Sequence, residues 1–186
     1  MITIGVIGAR VAGREIACEA ATAGYRTVLE DVSPEILGEG LAHIAGALQD
    51  ALARGDLTRA RKDDALANLS TARTVEDACR LADLLIEACP EELELKLEIF
   101  TLFDKFAKPG AILASNSSSF SINDLAAITF RAENCVGLQF YNQDPKKRLI
   151  RIIRAQETSG ATIGACKEVA RRMERDVLVV NEPVQA

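Results

Sequence analysis

The segment VIGARVAG, residues 6–13, places Gly8 and Gly13 at the two ends of a loop that follows a short β-branched run. In a strand-to-helix loop the first such glycine permits a tight turn. The last lets helix and strand approach, leaving the helix N-terminus open to a phosphate. Ala9, Val11 and Ala12 fill the loop, and Arg10 takes the middle glycine position of G-x-G-x-x-G. A side chain there stands on the path by which a pyrophosphate reaches the backbone. Asp31 ends the next strand signal, 18 residues after Gly13. A carboxylate at that point accepts hydrogen bonds from a ribose and repels a 2′-phosphate, so the pattern favours NAD over NADP.

Three further stretches hold polar groups between apolar runs. EACPEELELK (87–96) contains Glu87, Glu91 and Lys96, and SNSSS (115–119) is a hydroxyl-rich loop. VGLQFYNQDPKKRLIRII (136–153) is a pair of apolar runs around a hinge with Asn142, Asp144, Lys146, Lys147 and Arg148. Arg151 and Arg154 extend the positive charge, and Arg151 shares a strand face with Leu149 and Ile153. The hinge has no histidine and no glutamate. Amides, hydroxyls and guanidinium groups orient and donate, but none takes a proton at neutral pH. The single histidine, His43, sits at the edge of an apolar helical stripe and reads as structural.

The elements that must position these groups alternate. ITIGVIG, YRTVLED, LADLLIEA, AILAS and CVGLQF read as strands, with RLIRIIR as a further strand-like run and VLVV as the last strand. Helical signals lie between most of them. Ser33 and Pro34 start one helix, whose face carries Leu37, Leu41, Ile44, Leu48 and Leu52 and which Gly55 closes. A second helical piece covers about 58–69, and TART (71–74) is expected as a short strand. ELELKLEI alternates strictly, the strand pattern, yet its residues are helix formers and FTLFDKF continues at helical spacing; it is assigned helix. The order predicts an α/β fold: a Rossmann-type, doubly wound, mostly parallel sheet with helices on both faces.

Composition narrows the class. Of 186 residues 48% are hydrophobic, and no run approaches the ~20 apolar residues of a membrane span. A net charge of −5 argues against a nucleic-acid partner. Five cysteines with no C-x-x-C spacing are expected as reduced thiols, and no basic leader precedes the first strand, so a cytoplasmic protein is expected.

With DLLIEACPEELELKLEIF, AILASNSSS and VGLQFYN in order behind the glycine loop, the chain resembles the NAD-binding domain of 3-hydroxyacyl-CoA dehydrogenases over about residues 3–182. The family's E-A-x-x-E-x-x-x-x-K fits Glu87, Ala88, Glu91 and Lys96. Its S-N-T-S-S fits Ser115–Ser119 with Ser117 for threonine, and H-F-F-N-P fits 139–143 in part. The resemblance implies NAD as cofactor, with Asp31 on the adenosine ribose and Glu91 and Lys96 beside the nicotinamide half. It implies that Ser118 bonds substrate and cofactor and that Asn142 orients the nicotinamide. Without the resemblance, Glu91 and Lys96 read as a solvated helix start and Ser118 as a helix cap.

The departures sit at the reacting end. Gln139 stands at the family's histidine and Arg151 at the glutamate that pairs with it, so weak or absent turnover is expected. One reading is therefore an oxidoreductase domain with its acid/base pair replaced. The other is a binding module that uses the cleft for a nucleotide or acyl-CoA-like ligand. The lysine-dependent short β-hydroxyacid dehydrogenases fit less well. Residues 1–182 are expected as one NAD-binding domain and 183–186 as the start of a linker, without the family's helical C-terminal domain. A homodimer or a second polypeptide is expected to cover the face that domain would occupy.

Overall fold

The computed structural model describes residues 2–141 and 148–183. Its elements run β1 (Thr3–Ile7), α1 (Val11–Thr22), β2 (Arg26–Glu30), α2 (Pro34–Arg54), α3 (Arg59–Asn68), β3 (Leu69–Thr71), α4 (Val75–Leu81) and β4 (Leu84–Glu87). They continue with α5 (Leu93–Phe106), β5 (Ile112–Ser115), α6 (Ile122–Ala127), β6 (Cys135–Tyr141), β7 (Leu149–Arg154), α7 (Gly160–Arg172) and β8 (Asp176–Asn181); a 3-10 turn (Ala132–Asn134) precedes β6.

The eight strands form one sheet in the order β3-β2-β1-β4-β5-β6-β7-β8. All neighbours are parallel except β6 and β7, which pair antiparallel. Buried residues of α1, α2 and α7 pack with Ile4, Val6, Leu84 and Ile86 on one face. Residues of α4, α5 and α6 pack with Ile7, Val28, Leu85 and Leu113 on the other. The Rossmann-type α/β architecture expected from the element order is the one observed.

Local chemistry sets the helix ends. Ser33, Thr58, Thr74, Ser121 and Ser159 each cap a helix by accepting a backbone N–H in its first turn. Gly55 ends α2 with φ 81°. ELELKLEI is helical, as assigned, within α5. Two details differ from the sequence reading. The short strand is Leu69–Thr71 rather than 71–74, and Thr74 caps α4 instead. Leu81 ends that helix, so the strand within LADLLIEA is Leu84–Glu87 only.

Candidate functional site

The phosphate-loop end is built around β1. Gly8 has φ +100°, and a Cβ on it would lie 2.8 Å from the Ala88 carbonyl oxygen. A Cβ on Gly13 would lie 1.7 Å from the Gly8 oxygen, so both positions require glycine. The first turn of α1 carries no capping side chain, which leaves its N–H groups, from Val11 and Ala12 onward, open to an anion. Arg10 sits at the N-cap with φ −70°, a backbone any residue adopts, and is exposed at the loop. The missing glycine therefore costs no strain.

Asp31 holds this loop in place. Its Oδ2 accepts the Ala9 N–H at 2.8 Å, and its Oδ1 accepts the Ser33 N–H at 3.0 Å. Beside it opens a cavity of about 200 Å3, lined by Arg10, Glu30, Asp31, Val32, Pro90, Ile99 and their neighbours. An apolar cavity, a strand-end carboxylate and an uncapped helix N-terminus together suit the adenosine diphosphate half of a dinucleotide.

A buried polar network fixes the ends of β4, β5 and β6. Glu87 is fully buried; its Oε1 is 2.8 Å from Lys96 Nζ and accepts the Cys89 N–H at 2.7 Å, while its Oε2 accepts the Ser115 hydroxyl at 2.6 Å. Lys96 is 1% exposed and also donates to the Cys89 carbonyl at 3.3 Å. Its ammonium reaches Glu91 Oε2 at 3.6 Å. Glu91 in turn accepts the Ser117 hydroxyl at 2.8 Å and the Ser118 N–H at 3.0 Å. Burial alone would raise the Glu91 carboxyl, but those donors and Lys96 hold it below its ordinary range. Of the two residues expected beside the nicotinamide, Glu91 is open to a ligand. Lys96 is enclosed and supports Glu91 from behind.

A second cavity, of about 290 Å3, has a lining that includes Ser118, Gln139, Arg151, Val180 and Glu182. Gln139 and Arg151 are direct cross-strand partners. Gln139, 7% exposed, donates its amide to the Ser117 carbonyl and accepts the Tyr141 hydroxyl at 3.3 Å. Arg151 Nη1 donates to the Tyr141 hydroxyl at 3.4 Å, and its Nε has no acceptor among the described residues. Glu182 spends its carboxylate on the Ile122 and Asn123 N–H groups, both at 2.8 Å, at the start of α6. Ser118 is exposed at this cavity. Asn142, Asp144, Lys146 and Lys147 lie outside the described residues. His43 is exposed on α2 and lines neither cavity.

Several residues of the site have no role in the sequence reading, Ser117 and Glu30 among them. Ser117 bridges Glu91 and Gln139, and no periodicity marks it apart from its neighbours. Glu30 lines the cavity beside Asp31 at 3% exposure; its signal is a charge inside the apolar run of β2, hidden by the more familiar Asp31.

Comparison with known proteins agrees with this geometry. The family described as 3-hydroxyacyl-CoA dehydrogenase, NAD binding domain, matches residues 3–183. A 3-hydroxybutyryl-CoA dehydrogenase of Bradyrhizobium diazoefficiens is 39% identical over 176 residues, which cover 95% of this chain and 60% of that protein. A probable 3-hydroxybutyryl-CoA dehydrogenase of Bacillus subtilis is 34% identical, covering 96% and 62%. The crystal structure of the (S)-3-hydroxybutyryl-CoA dehydrogenase of Ralstonia eutropha superposes with a TM-score of 0.92 at 33% identity, covering 98% of this chain and 65% of that one. This chain thus spans about three fifths of the length of these relatives. It belongs to the 3-hydroxyacyl-CoA dehydrogenase family, as an NAD-binding domain.

Proposed function

We propose that this chain binds NAD and carries out 3-hydroxyacyl-CoA oxidation weakly or not at all. Bound NAD exchanges a hydride; the chain's own residues must hold it and manage the proton. Asp31, the glycine loop and the open turn of α1 would hold the adenosine and pyrophosphate, and Glu91 and Ser118 lie at the other end. Oxidising a hydroxyl requires a base for its proton, and losing one removes about 10²–10⁴-fold in rate. The observation that carries the proposal is Gln139: a neutral amide, fixed by Ser117 and Tyr141, stands in the cleft where a titratable ring would have to act. The test is purified protein with acetoacetyl-CoA and NADH, followed by nicotinamide absorbance. Little or no turnover is expected, and vigorous turnover would overturn the proposal.

A binding module for an acyl-CoA-like ligand is the second reading, and Arg151 favours it. Its guanidinium lines the cleft with no carboxylate paired to it among the described residues. Binding of acetoacetyl-CoA without turnover, lost in Arg151→Ala, would establish it.

Association and location belong to the same proposal. Val177, Leu178 and Val179 on the edge strand β8 are exposed, which supports a second copy of the chain covering that face. Light scattering should give a dimer; a clean monomer at working concentration would count against it. The cysteines Cys18, Cys79, Cys89, Cys135 and Cys166 are all free, which supports a reducing, cytoplasmic setting. No helix among the described residues is long and apolar enough to cross a membrane.

A further inference from the structure

We propose that Glu30 reads the base of the bound dinucleotide, accepting a hydrogen bond from the exocyclic amine of adenine. The inference rests on the NAD-binding reading and assigns a specificity role within it.

Glu30 is the last residue of β2 and pairs in register with Ile7. Alternation along the strand puts its side chain on the Val28 face, toward α4 and α5, where Ile7, Val75, Leu95 and Ile99 wall the cavity. Asp31, the next residue, lies at the same cavity with both carboxylate oxygens already engaged by the Ala9 and Ser33 N–H groups. Asp31 therefore fixes the loop and marks the ribose position, while the deeper apolar space beside it has the character of a base pocket.

In that space Glu30 is a carboxylate among apolar walls. It is 3% exposed, no donor among the described residues bonds its carboxyl group, and its oxygens keep slight contact with solvent. Buried carboxyl groups normally have partners, because an unpartnered one is costly. The charged or titratable groups around it are Asp31 at the strand end, Arg10 from the loop, Cys79 from α4 and Cys89 after β4. Burial, reinforced by the Asp31 charge, pushes Glu30 up to about 7. Near neutrality it is therefore poised to ionise when a donor arrives. Adenine supplies such a donor, an N–H pair on an otherwise flat apolar ring that suits the walls. Hypoxanthine, with a carbonyl at the same position, would meet the ionised Glu30 carboxylate acceptor to acceptor, whereas the protonated form could donate to it.

Calorimetric titration of the chain with NADH and with reduced nicotinamide hypoxanthine dinucleotide, at a pH well above 7 so that Glu30 is ionised, tests this. The wild-type protein should bind NADH about tenfold or more tightly, as expected for a hydrogen bond to a charged acceptor. Glu30→Val should bring the two affinities close together. Glu30→Gln, nearly the same shape, should do likewise, because an amide can donate to the carbonyl. Asp31→Ala should weaken both ligands alike. Equal affinities for the wild-type protein, or a preference that survives Glu30→Val, would overturn the inference while leaving NAD binding intact. Failure of folded wild-type protein to bind NADH at all would overturn the NAD-binding reading, and this inference with it.

Discussion

Gln139 and Arg151 face one another across the antiparallel β6–β7 pair, and their side chains meet through the Tyr141 hydroxyl rather than each other. Gln139 donates its amide to the Ser117 carbonyl, and Arg151 reaches the Tyr141 hydroxyl at 3.4 Å. Tyr141 closes the triangle by donating to Gln139 at 3.3 Å. The two positions have the adjacency an acid/base pair needs, but hold an amide and a permanent cation instead.

Installing an acid/base pair at these positions is the first prediction. Gln139→His with Arg151→Glu should raise acetoacetyl-CoA reduction above the wild-type rate, because the carboxylate orients the ring and stabilises its charged form. Gln139→His alone should do less, since Arg151 beside the ring favours its neutral form. Steady-state rates of the three proteins decide it; a single mutant as fast as the double would show that the pairing is unimportant.

Asp31 should set both cofactor choice and loop order. NADH should bind more tightly than NADPH, because the carboxylate repels a 2′-phosphate. Asp31→Ala should narrow the preference and also weaken NADH, since the Ala9 N–H loses its acceptor. Fluorescence titration gives both numbers. Equal wild-type affinities would remove Asp31 from the ribose.

The Lys96–Glu87 pair should matter chiefly for stability. Removing one member of a buried ion pair leaves the other uncompensated, at a cost of about 3–5 kcal/mol. The Ser115 hydroxyl and Cys89 N–H still serve Glu87, so Lys96→Met should lie near the low end. For a chain of this size that corresponds to a Tm loss of roughly 6–12 °C. Adding Glu87→Gln should recover part of it. A change too small to measure by calorimetry would show that the pair contributes little.

Glu30 should make stability depend on pH in an unusual direction for a carboxylate. Its folded value, about 7, lies above the ordinary one, so the native state holds the proton more tightly than the unfolded chain. The associated stability is present below the ordinary carboxylate range and is lost as pH rises through about 7. Glu30→Val should therefore stabilise the protein more at alkaline than at acidic pH. The difference should be on the order of 2 kcal/mol by denaturant titration. A pH-independent effect would contradict the burial assigned to Glu30.

Much of this arrangement is legible in the sequence because local chemistry and tertiary structure agree. Ser33, Pro34 and Gly55 bound α2 where capping chemistry says they should. The loop glycines are positions where a side chain collides with backbone. TART is less legible because threonine suits both a strand and an N-cap, and Thr74 takes the second role. Enclosure is also hidden: Lys96 and Glu91 look alike as charges on one motif, but only packing decides that one is buried and the other open. The antiparallel turn of β7 leaves no local trace, since strand direction depends on which neighbour the connection reaches.

The polar network at the strand ends has a consequence for local motion. The N–H groups of Cys89, Ser117, Ser118 and Phe140 lie at or just beyond the ends of β4, β5 and β6, yet each is bonded to a side chain: Glu87, Ser115, Glu91 and Asn116. Loop amides ordinarily exchange their hydrogens with solvent through small local openings. At the ends of β4 and β5 an opening must break bonds to Glu87, Glu91 and Ser115, which are themselves tied to Lys96 or to one another, so these two strand ends should exchange slowly and together. A ligand arriving at this end would meet a surface already set, with little ordering entropy left for binding to supply.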